Sequence, residues 1–252
     1  MEYFVNEKSV VREIWGKSDT ILFIFAGAAA EFALNKAVDW LYFTGRLPAD
    51  PLGRLFSTVA YAGKIIFLPY EQAIQTIDSI NIIHKEVETK RGDNIPQWSY
   101  RDVLYMLIDY SISAYELLER ELTEAEKEEV FDVFCRVGKG MHVEALPKNY
   151  REWLKDRELH LNNDLSYSIH TADLYRQYRK HLGLVRYQLL LQVQQMVCPA
   201  KVKTMLSLRQ KAVLAPTLTA YKLSRIVKMD RAFKSLLLPP DYKKQIWALD
   251  RS

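Results

Sequence analysis

Glycine is scarce in this chain: nine glycines stand in 252 residues, roughly half the average usage of about 7%. Folds rich in tight turns need glycine wherever the backbone φ must be positive. The shortage therefore argues against a β-sandwich or an all-β barrel. Apolar residues make up 49% of the chain and charged residues 26%, which is the composition of an ordinary globular protein with a sizeable core.

Cysteine is almost absent, with only Cys135 and Cys198 in the sequence. Two cysteines so far apart form neither a disulfide framework nor a metal-binding spacing. Both lie in apolar, helix-like surroundings, where a free cysteine behaves as a small buried hydrophobic residue. This usage favours a reducing compartment, and we expect a cytoplasmic protein.

Long apolar runs are also missing. The longest, Ile21 to Ala30, has ten residues and is followed by Glu31, whereas a membrane-spanning helix needs about 20 residues. The first residues lack the apolar core of a signal peptide. The sequence therefore predicts a soluble protein without a transmembrane segment, in which residues 21–30 form a buried core helix.

The net charge of +4 hides an asymmetry between two parts of the chain. Residues 201–252 hold 12 Lys/Arg and 3 Asp/Glu, a net charge of +9, and the preceding residues carry a net charge of −5. The basic segment either packs on an acidic body or forms a contact surface for an acidic partner or a membrane face. Its basic residues are spread out with few aromatic residues between them, so no nucleic-acid binding is expected.

Helix start and stop signals recur along the chain. Asp50-Pro51 is an N-cap followed by proline at the first helical position, and Ser99/Asp102 and Thr123/Glu126 fit the capping box. Gly45, Gly92 and Gly183 stand where helices should end. We predict one all-α domain over residues 1–252, with 201–252 a basic helical segment packed on it. The predicted helices cover residues 3–15, 19–43, 51–66, 70–90, 100–120, 124–139, 149–163, 168–181, 185–196, 199–228 and 230–248.

One of the five histidines, His84, lies on an apolar helical stripe with Ile77, Ile80 and Val87. Such a position predicts a buried ring whose nitrogens need partners. Two interpretations follow. The ring is a core histidine bonded to a carbonyl, or it is a neutral imidazole presented to a haem iron.

A second pattern is polar. Arg54, Thr58 and Tyr61 share one face of the helix that begins after Asp50, with Ser57 beside them. A guanidinium, two hydroxyls and a phenol on one face can orient a carboxylate or a bound oxygen species. The alternative is a solvated or ion-paired helix face.

In this order, the motifs resemble the catalytic domain shared by the MpaB-type oxygenases and the rubber oxygenases (latex clearing proteins), through most of residues 15–245. The resemblance rests on Ala26-Gly-Ala-Ala-Ala30, Asp50-Pro-Leu-Gly-Arg54-Leu-x-x-Thr58, Ile82-Ile-His84-Lys-Glu-Val87, Tyr100-Arg-Asp-Val-Leu-Tyr105, Ala114-Tyr-Glu-Leu-Leu118, Leu122-Thr-Glu-Ala-Glu126 and Leu237-Leu-Pro-Pro240.

The resemblance implies an all-helical, globin-like bundle that holds haem b (iron) without covalent attachment. By position, His84 matches the family's proximal iron ligand, and Arg54 and Thr58 match the pair that lines the distal side. Ser57 and Tyr61 complete the expected cofactor-binding residues. The implied activity is an oxidoreductase, a haem-dependent oxygenase that acts with O₂ on a small apolar substrate, such as an isoprenoid or another unsaturated chain.

The chain also departs from the family pattern. Rubber oxygenases can carry a distal lysine immediately before the threonine, and Ser57 stands there in this chain. Their distal acidic residue has no clear match: Val38 is near the expected place, with Asp39 and Glu31 as loose candidates. The alternative function is a non-catalytic haem-binding sensor, or a helical binding module that uses residues 201–252.

Overall fold

The computed structural model describes residues 2–45 and 50–208, and these residues form ten helices and no strand. Two isolated β-bridges, Tyr3 with Pro69 and Asn35 with Leu165, are their only extended pairings. The prediction of an all-α protein is confirmed. The helices are α1 Val10–Trp15, α2 Ser18–Leu34, α3 Val38–Phe43, α4 Pro51–Phe67, α5 Tyr70–Arg91, α6 Gln97–Leu118, α7 Glu124–Gly140, α8 Tyr150–Asn163, α9 Ile169–Val197 and α10 Ala200–Met205.

Helix α2 lies at the centre of the hydrophobic core and packs against α6 and α9. Residues 21–30, predicted as a buried core helix, are buried except for Leu22 and Ala28, which are half-buried. Gly27 lets α2 and α6 approach closely, because a Cβ at this position would overlap the ring of Tyr110. Cys135 and Cys198 are free and buried, as predicted.

Several helix ends follow the local signals in the sequence. Asp50 caps α4 by accepting a hydrogen bond from the Gly53 backbone N–H, and Thr123 and Glu126 form the predicted capping box of α7. Gly92 ends α5 with a φ of 72°, a conformation that glycine adopts without steric cost. The capping signals therefore fixed these boundaries correctly.

Other boundaries differ from the predictions. The expected helix over residues 19–43 is broken between α2 and α3, because Asn35 is extended and its side-chain oxygen accepts from the Ala37 N–H. The expected helix over residues 3–15 begins only at Val10, after the N-cap Ser9.

Two further boundaries concern α6 and α9. The predicted capping box at Ser99 is absent because α6 begins earlier, after Pro96, and the Ser99 hydroxyl donates to the Pro96 carbonyl. By contrast, the predicted break between helices 168–181 and 185–196 is confirmed: α9 runs through both, but its backbone is non-helical at Gly183, where φ is 71° and ψ is 173°.

Helices α4 and α5 form a hairpin joined by Leu68 and Pro69. The Phe4 backbone N–H donates to the Leu68 carbonyl, which ties this turn to the start of the chain. The open end of the hairpin lies at Asp50 and Gly92. A two-residue connection makes the helices antiparallel neighbours, so residues equally distant from the turn lie opposite each other.

Within the described ranges, no helix is both long and apolar enough to cross a membrane. The helix predicted over residues 199–228 is wrong in its extent, because α10 ends at Met205 and Ser207 has a φ of 52°. Residues 209–252, which include the rest of that prediction, the predicted helix 230–248 and most of the basic segment, lie outside the described residues.

Candidate functional site

The polar face of α4 is formed as the sequence predicts. Arg54 Nη1 donates hydrogen bonds to Ser57 Oγ at 3.1 Å and to Thr58 Oγ1 at 3.2 Å. The Ser57 hydroxyl donates to the Arg54 carbonyl at 2.6 Å. Tyr61 lies one turn further along, and all four side chains are half-buried. The two hydroxyls therefore hold the guanidinium in one orientation.

The hairpin brings Arg54 and His84 together. Arg54 precedes Leu68 by 14 residues (68 − 54) and His84 follows Pro69 by 15 (84 − 69), so they lie at the same level of the antiparallel pair. Burial and the positive charge of Arg54 together lower the pKa of His84 to about 4, against the opposing charge of Glu88. The His84 ring is therefore neutral at pH 7 and lies within electrostatic reach of the guanidinium.

The His84 side chain lies among apolar neighbours but is partly exposed to solvent. Its ring is tilted against the Tyr100 ring of α6, with centroids 5.1 Å apart. Residues 2–45 and 50–208 offer no hydrogen bond to its ring nitrogens. The expectation of a buried ring was wrong in degree, because His84 is half-buried and no residue of α5 beyond Ile77 is fully buried. The core-histidine interpretation, which requires a carbonyl partner, finds none among these residues.

A second polar cluster surrounds Glu31, which is fully buried in the apolar helix α2. Arg157 of α8 forms a bidentate pair with it, with Nη1–Oε1 2.5 Å and Nη2–Oε2 2.6 Å. His160 Nε2 lies 2.8 Å from Oε1, and the Tyr110 hydroxyl donates to Oε2 at 2.8 Å. Burial raises the pKa of Glu31, but Arg157 and His160 outweigh it and hold it at about 2.

The cluster continues on both sides of Glu31. Arg157 also donates to Asp109 Oδ2 from Nε at 2.9 Å and from Nη2 at 2.7 Å. His160 Nδ1 lies 2.5 Å from Asp102 Oδ1 and 3.5 Å from Asp164 Oδ2. Burial lowers the pKa of His160, but the contacts with Asp102 and Glu31 raise it to about 9. The ring is therefore cationic at pH 7.

A pocket of 310 Å³ opens beside this cluster, between α6 and α8. Neither Arg54 nor His84 belongs to its walls, so it is distinct from the hairpin pair. Its lining residues are Trp98, Arg101, Asp102, Tyr105, Asp156, Leu159, His160, Asn163 and Asp164.

The Arg54–His84 pair and the Glu31 cluster both lie within one known protein domain. The family described as "ER-bound oxygenase mpaB/B'/Rubber oxygenase, catalytic domain" matches residues 15–229. The chain belongs to this family. No curated protein and no solved structure matches the chain. The match to the mpaB/rubber oxygenase domain includes the α4–α5 hairpin, the Glu31 cluster and part of the basic C-terminal segment.

In this mpaB/rubber oxygenase domain, the candidates for a distal acidic residue have other partners. Glu31 is bound by Arg157 and His160, and Asp39 pairs with Arg91 at 2.8 Å. Val38, near the expected place, is buried. The sequence pattern missed Arg157 and His160, although Trp153, Arg157 and His160 recur at helical spacing on one face of α8.

The raised pKa of His160 predicts that the mpaB/rubber oxygenase domain loses stability in alkali. The folded protein keeps a proton that the unfolded chain releases above pH 6.5, so stability is fully present below pH 6.5 and is lost as the pH rises through about 9. The expected loss is about 3 kcal/mol. Urea unfolding between these pH values, in buffer with EDTA, measures it. His160→Gln should flatten the profile, and an unchanged slope in that variant would assign the loss to other groups.

Proposed function

We propose that this chain is a haem b-dependent oxygenase that acts with O₂ on a small apolar, unsaturated substrate such as an isoprenoid. Family membership supports an oxygenase activity. The observation that carries the haem proposal is the juxtaposition of a neutral His84 with Arg54 across the α4–α5 hairpin. These are the residues that the family resemblance assigns to the two sides of a haem.

The residues around His84 fit a haem group. An axial ligand must be an unprotonated imidazole, and the pKa of His84, about 4, keeps the ring neutral. Its nitrogens accept no hydrogen bond from the part of the chain that the structure describes. The site also offers an apolar surface, since Ile80 and Val87 lie on the same helical face as His84 and are half-buried.

Each residue then has a distinct role. His84 would bind the iron, and when bound the haem would supply a redox-active centre for O₂. Arg54 would place a fixed positive charge near the oxygen, where it stabilises developing negative charge. Ser57 and Thr58 orient the guanidinium through Nη1, and Tyr61 adds a phenol one turn away. Because these groups are held in place before the reaction, they need little reorganisation during it.

The substrate assignment depends on the apolar surroundings of His84. The apolar residues of α2 and α6 are packed in the core, so they do not supply the substrate surface. The proposed surface is formed by Ile80 and Val87, which flank His84 on one face of α5 and are half-buried, since ligand pockets are mainly apolar with a few polar groups. Cleavage of a carbon–carbon double bond by O₂ gives two carbonyl groups, and both oxygen atoms of O₂ can end in the products.

Oxygen uptake tests the proposed activity. The full chain, produced with haem available, is given squalene or its saturated analogue squalane in an oxygen electrode, and carbonyl products are captured with a hydrazine reagent. We expect uptake and carbonyl products with squalene only. Bound haem without uptake, over squalene and shorter unsaturated chains, would overturn the oxygenase proposal and favour the non-catalytic sensor.

Other parts of the proposal concern architecture and location. We propose one globin-like domain that includes the basic segment 201–252. A helical binding module built on that segment remains a prediction, because the described residues end at Leu208. The two buried free thiols, Cys135 and Cys198, suit a reducing compartment, and we propose the cytoplasm.

A further inference from the structure

We propose that Asp102, His160 and Asp164 form a binding site for a divalent transition metal ion, such as Zn²⁺ or Mn²⁺, separate from the haem site. One ligand atom from each residue lies within 4.8 Å of the others. Metal–ligand bonds of about 2.0–2.2 Å place two ligands of one ion up to about 4.4 Å apart. Small side-chain rotations would therefore bring all three atoms to one ion.

The Nδ1 atom of His160 points to a ligand at this position. The side chain is 2% exposed, and Nδ1 is buried without a hydrogen-bond partner. Asp102 Oδ1, although 2.5 Å away, therefore lies off the direction in which Nδ1 presents its proton or lone pair. A buried polar atom without an aligned partner is costly. A metal ion bound to Nδ1 would satisfy it and separate the crowded ring and carboxylate.

The residues around the three ligands hold them in place. Glu31 Oε1 lies 2.8 Å from His160 Nε2, and Asn35 Nδ2 donates to Asp102 Oδ2 at 2.7 Å. A carboxylate on the distal nitrogen of a histidine ligand fixes its tautomer and ring orientation. Asp164 ends α8 one turn after His160, and its backbone N–H donates to the His160 carbonyl. His160 and Asp102 are therefore oriented by neighbours that the ion does not displace, and the end of α8 places Asp164 beside them.

Charge and access also favour a cation. An ion bound to Nδ1 would replace the proton of His160, because a histidine ligand is neutral. The cluster would then hold four carboxylates against one cationic side chain, a negative balance that a divalent ion would reduce. The pocket between α6 and α8 reaches all three ligands, so water or a small anionic ligand can complete the coordination. One imidazole and two carboxylates suit Zn²⁺ or Mn²⁺ better than a thiolate-selected ion. The carboxylates are those of Glu31, Asp102, Asp109 and Asp164, and the cation is Arg157.

Calorimetric titration with Zn²⁺ tests the site in the full chain after treatment with a chelator. We expect one ion per chain and at least a ~10-fold weaker affinity in Asp164→Asn, since even outer-shell losses cost 10–100-fold. Asp164 is 26% exposed, so its replacement should leave the fold intact, which circular dichroism verifies. The displacement of Mn²⁺, followed by its EPR signal, provides a second readout that haem does not obscure.

The matched control is Asp156→Asn, which removes the same charge from α8 and the same pocket. Asp156 accepts a hydrogen bond from the Tyr105 hydroxyl at 3.1 Å and is no member of the ligand group. Its affinity for Zn²⁺ should stay within about 3-fold of the unmodified chain. Equal losses in both variants would show unspecific charge attraction, and no binding in the unmodified chain, or full binding in Asp164→Asn, would overturn the proposal.

Discussion

Replacing Arg157 by methionine should lower the free energy of unfolding by about 3–5 kcal/mol. Methionine fills a similar volume but removes the bidentate partner of Glu31, which keeps only His160 and Tyr110, and the guanidinium that pairs with Asp109. Glu31 is fully buried and Arg157 is only 5% exposed, so solvent cannot replace the lost pair. Equilibrium unfolding in urea, followed by circular dichroism, measures the change.

Arg176→Met is the matched control for this prediction. Arg176 pairs with Asp173 at 3.0 Å but is 75% exposed, and exposed pairs contribute little because water screens them. We expect a loss below about 1 kcal/mol. If Arg157→Met costs no more than Arg176→Met, the charged cluster is not the stabilising network that its geometry indicates.

Replacing Arg54 by methionine should reduce oxygenase turnover by about 10²–10³-fold, the usual effect of removing one fixed donor from a developing charge. Haem binding should persist, because His84 remains. In the haem-free chain, the pKa of His84 should rise, because the neighbouring positive charge that lowers it is removed. The comparison needs the rate per bound haem, obtained from oxygen uptake and the Soret absorbance of the same sample.

Lys64→Met provides the control on the same helix, since it removes an exposed positive charge from the last turn of α4. Its turnover should match that of the unmodified chain. Arg54→Lys separates charge from geometry, because an ammonium cannot reproduce the planar donors of a guanidinium. If Arg54→Met turns over as fast as the unmodified chain, Arg54 takes no part in the proposed reaction.

Local signals in the sequence predicted the helix ends that depend on neighbouring residues. The caps at Asp50 and Thr123 and the stop at Gly92 each involve contacts within four residues. The break at Asn35 could not be read in this way. Its carboxamide bridges the Ala37 N–H and Asp102, which is 67 residues away, so it depends on tertiary packing.

The Arg54–His84 pair follows from local sequence signals, whereas the Glu31 cluster depends on tertiary packing. Arg54 and His84 belong to adjacent antiparallel helices joined by a short turn. Helix start and stop signals alone therefore place the two residues at nearly equal distances from the turn, opposite each other. Glu31 and Arg157 are 126 residues apart. The apolar run around Glu31 predicts burial of that helix, but no sequence pattern pairs a buried carboxylate with a partner on α8. Helical spacing on α8 indicates only that Arg157 and His160 share a face.

The claim that His84 holds a haem iron is tested most directly by haem titration of three purified proteins: the unmodified chain, His84→Ala and His181→Ala. His181 is exposed on α9, so its replacement controls for the loss of a surface histidine. We predict a Soret band at one haem per chain for the unmodified protein and His181→Ala, and a lost or shifted band for His84→Ala with the helical circular dichroism retained. No Soret band in the unmodified chain, or an unchanged band in His84→Ala, would contradict the assignment.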